Sequence, residues 1–424
     1  MQQRSENRSQ CFNRREVLQQ GCRAVFTASA IAATPAAVQP FCAAQSSSDR
    51  IPDQDGSRPD SSQTVSVVRF QDEVDNEASV EGRVLVRATD GGLLVEDAAG
   101  RFWTIPAQRL GSETATGQVF QLFDARQLGD SLLTDARAAG VDAEFHLETT
   151  DNYVIAASTS EAYSTWTGQL LERMQIAFQS YWKNREFELQ PLAAPLPVLI
   201  LSDRAQFAKM AVFDRTPASA NGEGYFLVTA NRIVLFDLTA RDADSAASTI
   251  ADVQRRVQQI PASVATVVHE ATHQLAFNRG MHCRYADNPV WLTEGMAMYF
   301  EAPDLKSRRG WSAIGKVNAT RLFRFRQFIK ASRETDSIET LIRDNSRFAD
   351  AESAIDAYSE AWALTYFLIR TRVRDYSQYL KSISRKRPLQ WDTPDERLAE
   401  FQSAFGGDLA KLDTELLDFT ARLR

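Results

Sequence analysis

His269-Glu270-Ala271-Thr272-His273 places two imidazoles one helical turn apart with a carboxylate between them, and Trp291-Leu292-Thr293-Glu294-Gly295 adds a second carboxylate downstream. Imidazoles at positions i and i+4 share a helix face and can both reach one ion at roughly 2 Å. With Glu294 they form a two-His, one-Glu tripod with an open fourth position, which suits a catalytic zinc rather than a closed structural one. Glu270 sits beside such an ion rather than on it. There it is placed to take the proton of a water whose pKa the metal has lowered. The expected chemistry is metal-dependent hydrolysis. The competing reading is a pair of helix histidines satisfied by carboxylates in a core. Against it, the chain has only four histidines, and two of them fall in this motif.

The motif needs a helix, and its ends are readable. Pro261 suits a first turn, and Asn278-Arg279-Gly280 supplies a basic last turn and a terminating glycine. Ala265, Val268, Thr272 and Leu275 are spaced to face a core. Asn288-Pro289 reads as the N-cap and first position of the helix carrying Glu294, and Gly295 is expected to let that helix approach the histidine helix closely. Upstream, residues 127–139 and Glu161 to Trp182 have helical spacing. Phe145 to Thr149 with Tyr153 to Ala156, and Tyr225 to Val228 with Ile233 to Phe236, read as hairpins, and Leu196 to Leu201 as a buried strand. Nearly everything after Val253 is helical in character. The order is α+β: a small mixed sheet followed by a helical C-terminal half.

Before that domain, Val80 to Val86, Leu93 to Glu96 and Arg101 to Ile105 are short strand-like runs separated by Asp90-Gly91-Gly92 and Asp97-Ala98-Ala99-Gly100. They predict a small β-barrel-like module or meander over residues 63–123. Residues 45–62 are rich in Ser, Asp, Pro and Gln and read as a flexible linker. Asn13-Arg14-Arg15-Glu16-Val17-Leu18 resembles a twin-arginine signal, followed by an Ala-rich run from Ala24 to Val38 and Cys42-Ala43-Ala44. Residues 1–44 are therefore expected to be an export signal. No other stretch approaches a membrane span, so the mature protein is expected to be periplasmic or extracellular with no stable span. Net charge is −7, and the chain beyond the signal is more acidic still. It offers no basic stripe for phosphates, which argues against nucleic acid as a partner. Cys283 alone remains after the signal and cannot form an intramolecular disulfide. Its neighbour His282 does not make it a nucleophile, because adjacent side chains rarely face each other.

The motif with Trp291 to Ala297 resembles the gluzincin metallopeptidases, of the peptidase-MA-like clan, in which two His and the later Glu bind zinc. More narrowly, residues 124–424 resemble a domain-of-unknown-function family of exported bacterial proteins. The matching stretches are Thr150-x-x-Tyr153-Val154-Ile155, Glu172-Arg173-Met174, Asn231-Arg232 to Asp237-Leu238, and Tyr358-x-x-x-Trp362-Ala363-Leu364. The resemblance implies a zincin-type peptidase domain, zinc on His269, His273 and Glu294, catalysis by Glu270, and a peptide or protein substrate. It also implies an oxyanion-stabilising Tyr or His from the later helices, for which Tyr358 is the candidate. His282 and Arg284 lie between the ligand segments as candidates for substrate contact. Two departures matter. Met298 occupies the position where many gluzincins carry an acidic residue that orients the first histidine, and Glu301, on the same helical face, is the candidate substitute. No Gly-x-Met-x-Asn box stands near Gly222-Glu223-Gly224, so an endopeptidase is expected rather than an aminopeptidase. Ile233 to Phe236 is expected to offer an edge for an extended peptide. The alternative from another class is a non-catalytic envelope binding protein that keeps the fold and a structural zinc.

Overall fold

The computed structural model describes residues 64–240, 245–302, 313–350 and 352–424; the stretches read as export signal (1–44) and linker (45–62) lie outside them. The first described segment forms five strands: β1 (Thr64–Gln71), β2 (Glu77–Arg87), β3 (Leu93–Asp97), β4 (Phe102–Ile105) and β5 (Leu110–Val119). They pair antiparallel in the order β4-β3-β2-β1-β5. The Asp90-Gly91-Gly92 turn forms as its residues require: Gly91 takes a φ of 89°, and the Asp90 carboxylate accepts from Gly92 N at 2.9 Å. Val68, Val80, Val84, Leu93, Val95 and Ile105 make a small core of their own.

The expected barrel-like closure is not found. β4 and β5 stand at opposite ends of an open sheet. Phe102 N at the β4 end donates to Thr229 O of the following domain at 2.8 Å. An edge satisfied by another backbone has no need to close on its own sheet.

The second sheet contains β6 (His146–Thr149), β7 (Tyr153–Ala157), β8 (Leu196–Leu201), β9 (Gly224–Leu227) and β10 (Arg232–Phe236), ordered β6-β7-β8-β10-β9. β7, β8 and β10 are parallel, with β6 and β9 antiparallel at the two edges. Helix α1 (Ala125–Ala138) precedes β6, α2 (Glu161–Lys183) crosses from β7 to β8, and α3 (Arg204–Phe213) follows β8. Leu128, Leu132, Phe207 and Met210 of α1 and α3 pack on one face against Val154, Leu199 and Val234. The other face, with Ile155, Val198 and Ile233, joins the main core. Burial on both faces explains why β7 to β10 read as unbroken apolar runs.

Ile233 to Phe236 is not an edge. β10 is paired with β8 on one side and β9 on the other, so the free edge belongs to β9. The parallel β8–β10 pairing joins distant segments and leaves no trace in the local hairpin pattern.

The remainder is helical: α4 (Ile250–Val257), α5 (Pro261–Asn278), α6 (Val290–Phe300), α7 (Ala319–Ala331), α8 (Ser337–Arg343), α9 (Ser346–Ala349), α10 (Ala354–Thr371), α11 (Val373–Ile383), α12 (Pro394–Phe405) and α13 (Leu409–Ala421). The architecture is α+β, with about half of the described residues helical and two small sheets among them. Helix α10 lies among α6, α7, α11 and α13. Gly295 permits a close helix approach, but to α10 and not to the histidine helix. A Cβ there would lie 2.0 Å from Thr365 Oγ1 and 2.7 Å from Ala361 O. Among the described residues no helix is long and apolar enough to cross a membrane.

Candidate metal centre

Helix α5 starts at Pro261, whose missing N–H costs nothing in a first turn. It ends where Gly280 takes a φ of 75° and the backbone N–H groups of Met281 and His282 turn back to Ala276 O. His269 and His273 project from one face toward α6. Helix α6 starts one residue later than expected. Asn288 is not its cap: its amide donates to the carbonyls of Cys283 and Ala286. Pro289 takes the N-cap position and offers no side-chain acceptor. The acceptor comes from elsewhere in the chain, with Asn345 Oδ1 receiving Val290 N at 3.3 Å and Arg397 Nη1 at 3.0 Å. Arg397 and Lys386 also pair with the buried Asp287 just before the helix.

These elements bring His269, His273 and Glu294 together as a buried group able to hold a metal ion, with one ligand atom from each within 4.8 Å of the others. The two Nε2 atoms face each other at 3.1 Å, and the Glu294 oxygens lie 3.2 Å from His269 Nε2 and 3.3 Å from His273 Nε2. His269 Nδ1 lies 2.9 Å from Glu301 Oε2. Glu301 thus stands against the histidine at the place where Met298 has no carboxylate to offer. Asn318 donates to its other oxygen at 2.6 Å, with Arg321 at 3.6 Å.

The donor set fits a zinc-type ion. With the Nδ1 proton given to Glu301, His269 presents an Nε2 lone pair to a carboxylate and to a second imidazole nitrogen. With Nε2 deprotonated, an ion between them would take up all three sets of lone pairs together. The electrostatics agree. Burial lowers the His269 imidazole, yet hydrogen bonds to Glu294 and Glu301 and the charges of Glu294 and Glu270 more than reverse this and raise it to about 10. Burial also pushes Glu270 up to about 8. Glu294, although buried, is held down to about 2 by the two histidines. The Glu294 carboxylate thus stays charged against the two imidazoles, while Glu301 supports His269 from its far side.

Glu270 is not part of the tripod. Its Oε2 accepts from Phe226 N of β9 at 2.8 Å, while the buried Oε1 has no hydrogen-bond partner. Tyr358 lies in the second turn of α10, which begins at Ala354. Its phenol is held well above its ordinary value by burial and then by the Glu294 charge, with Arg321 opposing and Glu270 adding to the rise. The structure therefore brings Tyr358 into the electrostatic reach of the centre.

The two candidates between the ligand helices part ways. His282 is buried edge-on against Phe277, ring centroids 5.4 Å apart, with neither ring nitrogen hydrogen-bonded. Burial, and then the nearness of His273, push its pKa down to about 3. Arg284 is committed to the first sheet, donating to Gly100 O at 2.8 Å and lying over the Phe102 ring at 3.6 Å. Cys283 has its thiol pushed up by burial, as suits an inert side chain.

Sequence reading missed Asn318, Arg321 and Asn345. Asn318 had a local signal as the cap of α7, where its carbonyl oxygen accepts from Arg321 N, but nothing local ties its amide to Glu301. Residues 263–390 match a family described as a protein of unknown function (DUF1570). The match covers both ligand helices and Tyr358 and leaves out both sheets. No curated protein matches the chain.

Proposed function

We propose that this chain is an exported zinc-dependent peptidase of gluzincin type, with a zincin-like domain holding the metal on His269, His273 and Glu294. The observation that carries the reading is the orphaned Oε1 of Glu270 beside a convergent two-His, one-Glu set. A purely structural metal site has no use for that buried oxygen. When bound, zinc supplies Lewis acidity to water and to a substrate carbonyl. Glu270 takes the proton of the attacking water on Oε1 and returns it to the leaving amine nitrogen. Phe226 N, bonded to Oε2, fixes the direction in which the free oxygen points. Tyr358, its phenol kept neutral by burial, donates a hydrogen bond to the developing oxyanion.

The β9 edge suits an extended peptide. Phe226 N points away from β10 toward Glu270, so main-chain groups on that side of β9 are turned to the reacting centre. An endopeptidase fits better than an aminopeptidase. The Glu223 carboxylate is already held by Ser263 at 2.7 Å and Thr266 at 3.3 Å, so it is not offered to a substrate amine.

The test pairs zinc stoichiometry with digestion of unfolded proteins and a peptide library. Wild type should cleave in a chelator-reversible way, and Glu270→Gln should keep its zinc and lose cleavage. A zinc-loaded Glu270→Gln variant of undiminished activity refutes the role of Glu270. A zinc-loaded wild type that cleaves nothing favours the binding-protein alternative.

A further inference from the structure

The β3–β4 turn touches two different walls of the candidate centre. Phe102 N holds Thr229, two residues beyond β9, whose Phe226 anchors Glu270. Arg284 sits in the connection between the histidine helix and the Glu294 helix. Its Nη1 reaches both Gly100 O of the turn (2.8 Å) and Val228 O at the end of β9 (3.5 Å), and its Nη2 lies 3.4 Å from the buried Glu96 carboxylate. The guanidinium is flat on Phe102, and Phe102 in turn packs on Tyr285 at 5.8 Å. The connection around Arg284 has little freedom to give. Tyr285 takes a φ of 61°, its carbonyl accepts from Leu389 N at 2.7 Å, and Asn288 ties back to Cys283 and Ala286. One side chain therefore joins the first β domain, the edge strand and the ligand connection.

We infer that Arg284 is a positioning residue and that the first β sheet is a clamp on the metal centre: through Arg284 the β3–β4 turn fixes the distance between β9, which anchors Glu270, and the Glu294 helix. A separate binding module tethered by its chain alone would need no such buried cation. Arg101 gives the comparison. It also docks the first domain, through Asp135 at 2.9 Å and Ser131 of α1, but touches neither β9 nor the ligand connection. The inference rests on the metal-site reading for its zinc readout, and backbone exchange provides a readout that does not.

The experiment compares Arg284→Met, Arg284→Lys and Arg101→Met in the full chain. Zinc affinity is measured by competition with a chromophoric chelator, and the visible spectrum of the cobalt-substituted protein reports ligand geometry. Arg284→Met should weaken zinc about tenfold or more and alter the cobalt spectrum. Arg284→Lys keeps the charge but loses the flat stacking, so it should fall between Met and wild type. Arg101→Met should lower the thermal midpoint and leave both metal readouts unchanged. Wild-type zinc affinity and spectrum in Arg284→Met, or equal losses in both Met variants, would overturn the clamp. If Arg284→Met does not fold, Arg284→Lys carries the same comparison. If wild type binds neither metal, the proposed function fails on its own. Hydrogen exchange then decides: faster exchange at Thr229 and 284–288 in the Arg284 variant than in the Arg101 variant supports the clamp, and equal exchange overturns it.

Discussion

Replacing Gly295 by Ala perturbs the centre without touching a ligand. Helix α6 lies so close to α10 that the new Cβ would sit 2.0 Å from Thr365 Oγ1, 2.9 Å from Thr365 Cβ and 2.7 Å from Ala361 O. The hydroxyl can rotate away, but the Ala361 oxygen is backbone and cannot. Restoring ordinary contact requires the helices to part by roughly 0.5–1 Å. Overpacking of this kind costs about 1–3 kcal/mol, while Gly→Ala in a helix interior returns about 1 kcal/mol of propensity. The net expectation is a loss of about 1 kcal/mol. Glu294 is the adjacent residue, so the same displacement carries its carboxylate off the two imidazoles, and zinc should bind about tenfold more weakly. Urea denaturation of the metal-free protein gives the first quantity and chelator competition the second. Adding Thr365→Ala removes the nearest clash and should restore part of both, a coupling visible in a double-mutant cycle. A Gly295→Ala protein about 1 kcal/mol more stable than wild type, with zinc affinity unchanged, would refute the reasoning, because propensity alone would then account for the substitution.

Glu301→Ala should cost about 10- to 100-fold in zinc affinity by freeing the His269 ring, and Glu301→Gln, which keeps an acceptor for Nδ1, should cost less; chelator competition reads both, and an unaffected Ala variant would dismiss Glu301 as an orienting group. His282 gives a pH dependence. Its folded pKa of about 3 lies below the ordinary 6.5, so its contribution to stability is complete above pH 6.5 and lost as pH falls toward 3. In metal-free protein the slope from this group is about 1.4 kcal/mol per pH unit. His282→Phe should remove that slope between pH 6.5 and 5 in urea titrations, and an unchanged slope would show that acid lability arises at other groups.

The facing of His269 and His273 was legible because their spacing is local: i and i+4 on one helix dictate a shared face whatever surrounds it. Helices α1 and α2 and both hairpins were legible for the same reason. Closure of the first sheet and the identity of the free edge were not, because Phe102–Thr229 and β8–β10 are pairings between distant segments. Gly295 announced a close approach without saying to what, and α10 lies many turns further along the chain. Arg284 stood out only by its place between the ligands. Its partners Glu96, Gly100 and Phe102 belong to the first sheet, far away in sequence, so nothing local pointed to them.

The borrowed cap of α6 has a temporal meaning. The acceptor for Val290 N comes from Asn345, which is held by Arg397, and Arg397 also neutralises Asp287 at the foot of the helix. A chain emerging from the ribosome presents both histidines and Glu294 well before Asn345 or Arg397 exists. Until those residues arrive, the helix bearing the third ligand begins with an unmet backbone donor and a buried aspartate without its guanidinium. The cap and the counter-ion of this helix are therefore completed only once residue 397 has been added to the chain. If the chain is the exported hydrolase proposed above, such an order of assembly would be a safeguard for the proteins around it during synthesis.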